Sequence, residues 1–171
     1  MLCAIATLAT APETYAQAHP LRIVVLDLEI MGDLGGPELA SAHQQRLHLA
    51  TARLREGLAR TNRYQVIETA AAQEDLDKLA AQYRYLHDCN GCEVDIARRL
   101  EADQTLVAWV HRVSALILTL NYEIHDVATG RTVAKKSFSF RGDNDAAWTR
   151  AIDYMLKDLL SEEAISPADP R

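Results

Sequence analysis

ALILTLNYEIHDVATGRTVAKKSFSFR, residues 115–141, is the stretch on which the fold turns. Leu116, Leu118, Leu120, Tyr122 and Ile124 occupy every second position, the period of a strand with one buried face. Ala128-Thr129-Gly130-Arg131 follows, with Gly130 where a tight turn needs a left-handed residue. Thr132–Arg141 returns as the second arm, so the carboxyl-terminal half is expected to be an antiparallel meander. Asp103–Arg112 supplies a strand before it. Asp143–Leu160 supplies a closing helix, which Asp143 or Asn144 can cap.

The upstream half alternates instead. Leu21–Ile30 (LRIVVLDLEI) is a buried strand that turns polar at Asp27 and Glu29. Met31–Pro37 carries Gly32, Gly35 and Gly36 and reads as a loop. Glu38–Arg60 is a helix with a stripe of Leu39, Ala42, Leu47, Ala50, Leu54 and Leu58. Tyr64–Glu68 is a short strand, Ala70–Leu86 a second helix, His87–Gly91 a break, and Cys92–Leu100 a third helix. The order β-α-β-α-α-β-β-β-α predicts an α/β sandwich of two or three layers around a mixed sheet.

The chain has 171 residues, 49% hydrophobic and 25% charged, which suits one domain. Its net charge of -6 opposes nucleic acid and anionic membrane surfaces, where cationic side chains supply the affinity. No apolar run reaches the roughly 18–20 residues a membrane span needs. Residues 1–18 read as a cleaved signal peptide: Leu2–Ala11 is an apolar core and Ala16-Gln17-Ala18 a small-x-small cleavage site. No Lys or Arg precedes that core, and Cys3 sits in no lipobox, so no lipid anchor is expected. The expected organisation is a leader over 1–18, a single domain over 19–163 and a flexible tail over 164–171. The expected location is the periplasm.

Two resemblances refine this. Arg60–Glu68 (RTNRYQVIE), Ala97–Asp103 (ARRLEAD) and Asp126–Thr132 (DVATGRT) resemble the amino-terminal domain of the translocation protein TolB, a fold shared with the curli secretion lipoprotein group. No propeller accompanies them, so the resemblance implies the fold and not a Tol or curli secretion role. Cys89-Asn90-Gly91-Cys92-Glu93, Val113–Leu118 and Arg141-Gly142-Asp143-Asn144-Asp145 with Trp148 resemble an exported bacterial family of unknown function. That resemblance implies a periplasmic accessory protein without an assigned reaction.

Cys89 and Cys92 are the sharpest chemical feature. In an oxidising compartment the pair is first of all a structural disulfide. A redox pair comes second: the two precede a helix whose N-terminus favours a thiolate, yet they do not follow a first strand as in thioredoxin-like enzymes. A metal site comes third and would add His87, Asp88 or His111 to the thiolates. Asp27, Glu29, Gly35, Gly36 and Trp148 are candidates for a partner or ligand surface. The sequence holds no nucleophile elbow, Walker A or dinucleotide fingerprint, and no cofactor or catalytic residue is assigned. The expected function is therefore non-catalytic binding of a periplasmic or membrane-associated protein, or of a small ligand. Thiol-disulfide exchange or sensing stands second, and a metal carrier third.

Overall fold

In a computed structural model that describes residues 19–162, the strands and helices follow the expected order with one addition. They are β1 (Leu21–Val25), β2 (Glu29–Gly32), α1 (Ala40–Ala59), β3 (Tyr64–Ile67), α2 (Gln73–Gln82), α3 (Cys92–Arg99), β4 (Gln104–Arg112), β5 (Ile117–Asp126), β6 (Thr132–Arg141) and α4 (Asp145–Glu162). The expected leader and tail lie outside the described residues. The sheet runs β3-β1-β4-β5-β6, with β2 also on β4. β1 is parallel to β3 and β4, β2 is parallel to β4, and β4, β5 and β6 form the antiparallel meander. The sheet is mixed, as expected.

Alternation sorts the core into two clusters. Ile23, Val25, Leu106, Ala108, Val110, Leu118, Leu120, Tyr122 and Ile124 point to one face and pack on Leu54 and Leu58 of α1 and Trp148, Met155 and Leu159 of α4. Val24 and Val107 point the other way and pack on Val94, Ile96 and Ala97 of α3. Phe138 and Phe140 of β6 join the first cluster from its edge. Three layers therefore exist over β1, β3 and β4. Over β5 and β6 the second face carries polar residues: Thr119, Asn121, Glu123 and His125 beside Ser139, Ser137 and Lys135.

The strand expected over Leu21–Ile30 is interrupted. Val25 pairs with Leu106 and Glu29 with Trp109, so four steps on this strand match three on β4 and one residue is extra. Helix α1 takes the displaced backbone groups. Thr51 Oγ1 accepts the Leu28 N–H at 3.0 Å, and the Arg55 guanidinium donates to the Val25 carbonyl at 2.7 and 3.1 Å. Pro37–Leu39 is a 3₁₀ turn, so α1 begins at Ala40 rather than Glu38. The second helix is also shorter than expected. Ala70–Ala72 forms a 3₁₀ turn, and Tyr83 is extended, because Leu86 and His87 are drawn onto Glu29.

Candidate functional site

Four regions gather the chemistry. The first is the corner that holds the disulfide between Cys89 and Cys92, whose Cα atoms lie 5.7 Å apart. Asn90 and Gly91 bend the loop through left-handed conformations, φ +58° and +110°; the second is in a region that suits glycine. Cys92 opens α3 and Glu93 follows in its first turn. Glu93 is only 6% exposed. Its Oε2 accepts the Gly91 N–H at 3.2 Å and sits 3.2 Å from Cys89 Sγ. Its Oε1 faces His125 Nε2 at 3.9 Å, and the same nitrogen lies 3.3 Å from Glu123 Oε2. Glu123 Oε1 accepts from Lys135 Nζ at 2.6 Å. A polar cavity of about 510 Å³ opens here, lined by His87, Glu93, Glu123, His125 and Thr132 among others.

The second region surrounds the strand break. Asp27 binds Arg55 at 2.9 Å on the α1 side, while Glu29 points to the opposite face. There its carboxylate accepts from the Leu86 N–H at 2.6 Å and pairs with His87 Nδ1 at 2.6 Å. The His87 ring stacks on Trp109, centroids 4.2 Å apart. Asp27 and Glu29 thus have separate partners. They share a cleft of about 400 Å³ with His48, Arg55, Arg84 and Tyr85.

The third region is a buried ion cluster. The Asp143 carboxylate accepts from Arg112 Nε (2.7 Å), Arg46 Nη1 (3.0 Å) and the Trp148 indole N–H (3.1 Å), and pairs with His43 Nε2 (2.9 Å). Burial pushes this carboxyl's pKa up, but the bonds from His43, Arg112 and Trp148 outweigh it and hold the group below the ordinary carboxylate range. Arg112 also donates to the Asp33 carbonyl, beside Gly35 and Gly36. Trp148 is only 3% exposed and braces the cluster from inside. The helix cap falls to Asn144, whose Oδ1 accepts the Ala147 N–H at 3.0 Å.

The fourth region is the outer edge of the meander. Among the described residues no strand pairs with the far side of β6. A groove of about 570 Å³ runs between β6 and α4, floored by Phe138, Phe140, Ala147, Ala151 and Tyr154. Tyr154 is 57% exposed and meets Phe138 edge to face at 5.0 Å. Arg141 and Arg150 flank the groove, and neither has a carboxylate partner among the described residues.

The sequence reading placed Cys89 and Cys92 together. It placed His87, Asp88 and His111 near them as metal ligands. His87 instead turns to Glu29 and Trp109, Asp88 lies 3.8 Å from His87 Nε2, and His111 is an exposed residue of β4. The groups that do converge beside the disulfide are Glu93, Glu123 and His125. Their signal was a Glu directly after the second cysteine and a Glu-x-His on one face of a strand. Neither pattern says that the two elements meet.

A family model, DUF3280, described as a protein of unknown function (DUF2380), matches residues 21–160. No curated protein matches the chain. Among solved structures, the LpoB carboxyl-terminal domain from Escherichia coli aligns with a TM-score of 0.52 and 15% identity, over 70% of this chain and 81% of that one. Lipoprotein GNA1162 from Neisseria meningitidis aligns with a TM-score of 0.50 and 16% identity, over 86% of this chain and 99% of that one. TolB from Acinetobacter baumannii aligns with a TM-score of 0.45 and 9% identity, over 85% of this chain and 30% of that one. Among the described residues no helix is long and apolar enough to cross a membrane.

Proposed function

The chain belongs to the DUF3280 family of proteins of unknown function, and from that premise we propose that it is an exported, non-catalytic accessory protein that holds an extended segment of an envelope partner along β6. The observation that carries this reading is the unpaired edge of β6. It offers a row of backbone donors and acceptors ten residues long, which a partner strand completes by β-augmentation. The groove beside it supplies side-chain pockets at Phe138, Phe140 and Tyr154, and Arg141 and Arg150 give it positive charge. The matching partner is an extended segment that alternates apolar and acidic residues.

The leader-like residues 1–18 and the disulfide support an exported setting. The fold shared with lipoprotein GNA1162 is in keeping with it. The disulfide acts as a staple. It ties Cys89, which is 6% exposed, to Cys92 at the start of α3.

The test is a titration of the ¹⁵N-labelled chain with an eight-residue peptide alternating Glu with Val or Phe. Shift changes and slowed amide exchange confined to β6 and the start of α4 are expected. The double variant Arg141→Glu, Arg150→Glu should weaken binding at least tenfold while its melting curve stays unchanged. Shifts elsewhere, or an affinity indifferent to charge reversal, overturn the reading.

A small ligand is a second reading, favoured by the cleft at Asp27 and Glu29. The chain leaves β1 over one face toward β3 and comes back over the other to β4, and α/β sheets bind ligands at such a reversal. Arg84, stacked over Tyr85 at 5.3 Å, gives the cleft an anion partner. Small carboxylates that raise the melting temperature of the chain, and not of Arg84→Ala, would support it.

A further inference from the structure

We propose that, while its cysteines are thiols, the chain binds one divalent cation of the zinc class through Cys89, Cys92 and Glu93, and that closure of the disulfide expels the ion. The two Sγ atoms and a carboxylate oxygen of Glu93 all lie within 4.8 Å of one another, the one such group of three His, Cys, Asp or Glu side chains among the described residues. Glu93 Oε2 is 3.2 Å from Cys89 Sγ. Around a tetrahedral centre with metal–sulfur bonds of about 2.3 Å and a metal–oxygen bond of about 2.1 Å, two sulfurs stand roughly 3.8 Å apart, and a sulfur and an oxygen roughly 3.6 Å. The backbone holds the two cysteines 5.7 Å apart at Cα, so side-chain rotation separates the sulfurs to that spacing once the S–S bond opens.

The local chain holds these ligands in place. Asn90 and Gly91 turn through left-handed conformations, which brings Cys92 back beside Cys89 and sets Glu93 in the first turn of α3. The Gly91 N–H donates to Glu93 Oε2 at 3.2 Å and orients the carboxylate. Cys92 opens α3, where the helix dipole favours a thiolate. Cys89 and Glu93 are each 6% exposed, and a cation between them offsets the cost of keeping their charges out of water. The polar cavity that Gly91 and Glu93 line supplies a water for the fourth position, the coordination of an open zinc site. Two thiolates select zinc over calcium and magnesium.

Metal and disulfide tie the same corner in two redox states. Before oxidation the cation joins Cys89 to the start of α3; after it, the S–S bond does. The exchange balances with a low-molecular-weight disulfide as oxidant. The two metal-bound thiolates give up two electrons and form the Cys89–Cys92 bond, the oxidant's S–S bond breaks to two thiolates, and the cation leaves because its sulfur ligands have lost their charge. His87, expected beside the thiolates, is committed to Glu29 and Trp109, and His111 is exposed on β4, so Glu93 takes the place they were given. Nothing in this site depends on the β6 edge.

The experiment is calorimetric titration with zinc chloride of the full chain carrying Cys3→Ser, which leaves Cys89 and Cys92 as its two cysteines. One sample is reduced with a phosphine and desalted without oxygen; the other keeps its disulfide. One-to-one binding by the reduced chain and none by the oxidised chain is expected. Affinity should fall at least tenfold in Glu93→Gln and stay unchanged in His111→Asn. Cobalt(II) on the reduced chain should give a sulfur-to-cobalt charge-transfer band. A low-molecular-weight disulfide added to the zinc form should release one equivalent of zinc to a chromophoric chelator as the thiols disappear. The cobalt band and the release need no change at Glu93, so they test the site even where Glu93→Gln does not fold. No binding by the reduced chain, equal binding by the oxidised chain, affinity indifferent to Glu93→Gln in a folded variant, or zinc retained after the disulfide has closed overturns the proposal.

Discussion

Asp143 has three cationic or ionisable neighbours and an indole N–H around a side chain that is 6% exposed. Its pKa lies below the ordinary value, so its stabilising contribution is full above about pH 3.9 and drains away as pH falls through the depressed value. Asp143→Asn should cost about 3–5 kcal/mol, because Arg112 and Arg46 keep their charges and lose their partner. Urea unfolding at pH 7 and pH 3 checks both claims: the variant should be less stable at neutral pH and lose less stability on acidification. The disulfide closes a very short loop, so Cys89→Ser with Cys92→Ser should cost only about 2 kcal/mol in the entropic account. If the pair is a structural staple, its reduction potential should lie below about -300 mV. A value near -200 mV with the fold unaffected would move thiol exchange ahead of the staple.

At the scale of the element, the break between β1 and β2 belongs to α1 as much as to the strand. Thr51→Val keeps the side chain's shape and removes the acceptor for the buried Leu28 N–H, so about 1–3 kcal/mol of stability should be lost. A loss near zero in thermal melts would mean that the strand breaks without help from the helix. Gly32 ends β2 with φ +95°, and an added Cβ would overlap the Arg112 carbonyl oxygen. Gly32→Ala should therefore cost at least about 2 kcal/mol, more than the left-handed conformation alone would charge. The alternation that predicted β5 also explains its two roles. Leu118, Leu120, Tyr122 and Ile124 build the core, while Glu123 and His125 between them reach the cavity at Cys89.

The whole molecule has a well-covered half and an open half. α1 and α4 cover one face throughout, and α3 covers the other only over the parallel strands. Protection should follow that plan. Amides of β1 and β4, central in the sheet, should exchange only by global unfolding, whereas half of those in β6 should exchange within minutes for want of a partner. Hydrogen exchange resolved by residue tests this directly, and uniform protection across β6 would count against a free edge.

Much of this was legible in the residues taken one stretch at a time. The period of two over Leu116–Ile124, the Thr129-Gly130 turn and the helical stripe through Leu54 and Leu58 identify strands, hairpin and helix, because hydrophobic periodicity is local information. The pairing of Cys89 with Cys92 was expected from an even pair of cysteines in an oxidising compartment. The tertiary structure decided what needs distant contacts. It placed one extra residue between Val25 and Glu29 where α1 could accept it, and took Asp143 from a helix cap to the centre of a cluster assembled from His43, Arg46, Arg112 and Trp148. It also brought Glu93 to His125, some thirty positions away in the chain. The physical reason is the same in each case: a side chain's periodicity tells which way it points, and only the packing of another element tells what it meets there.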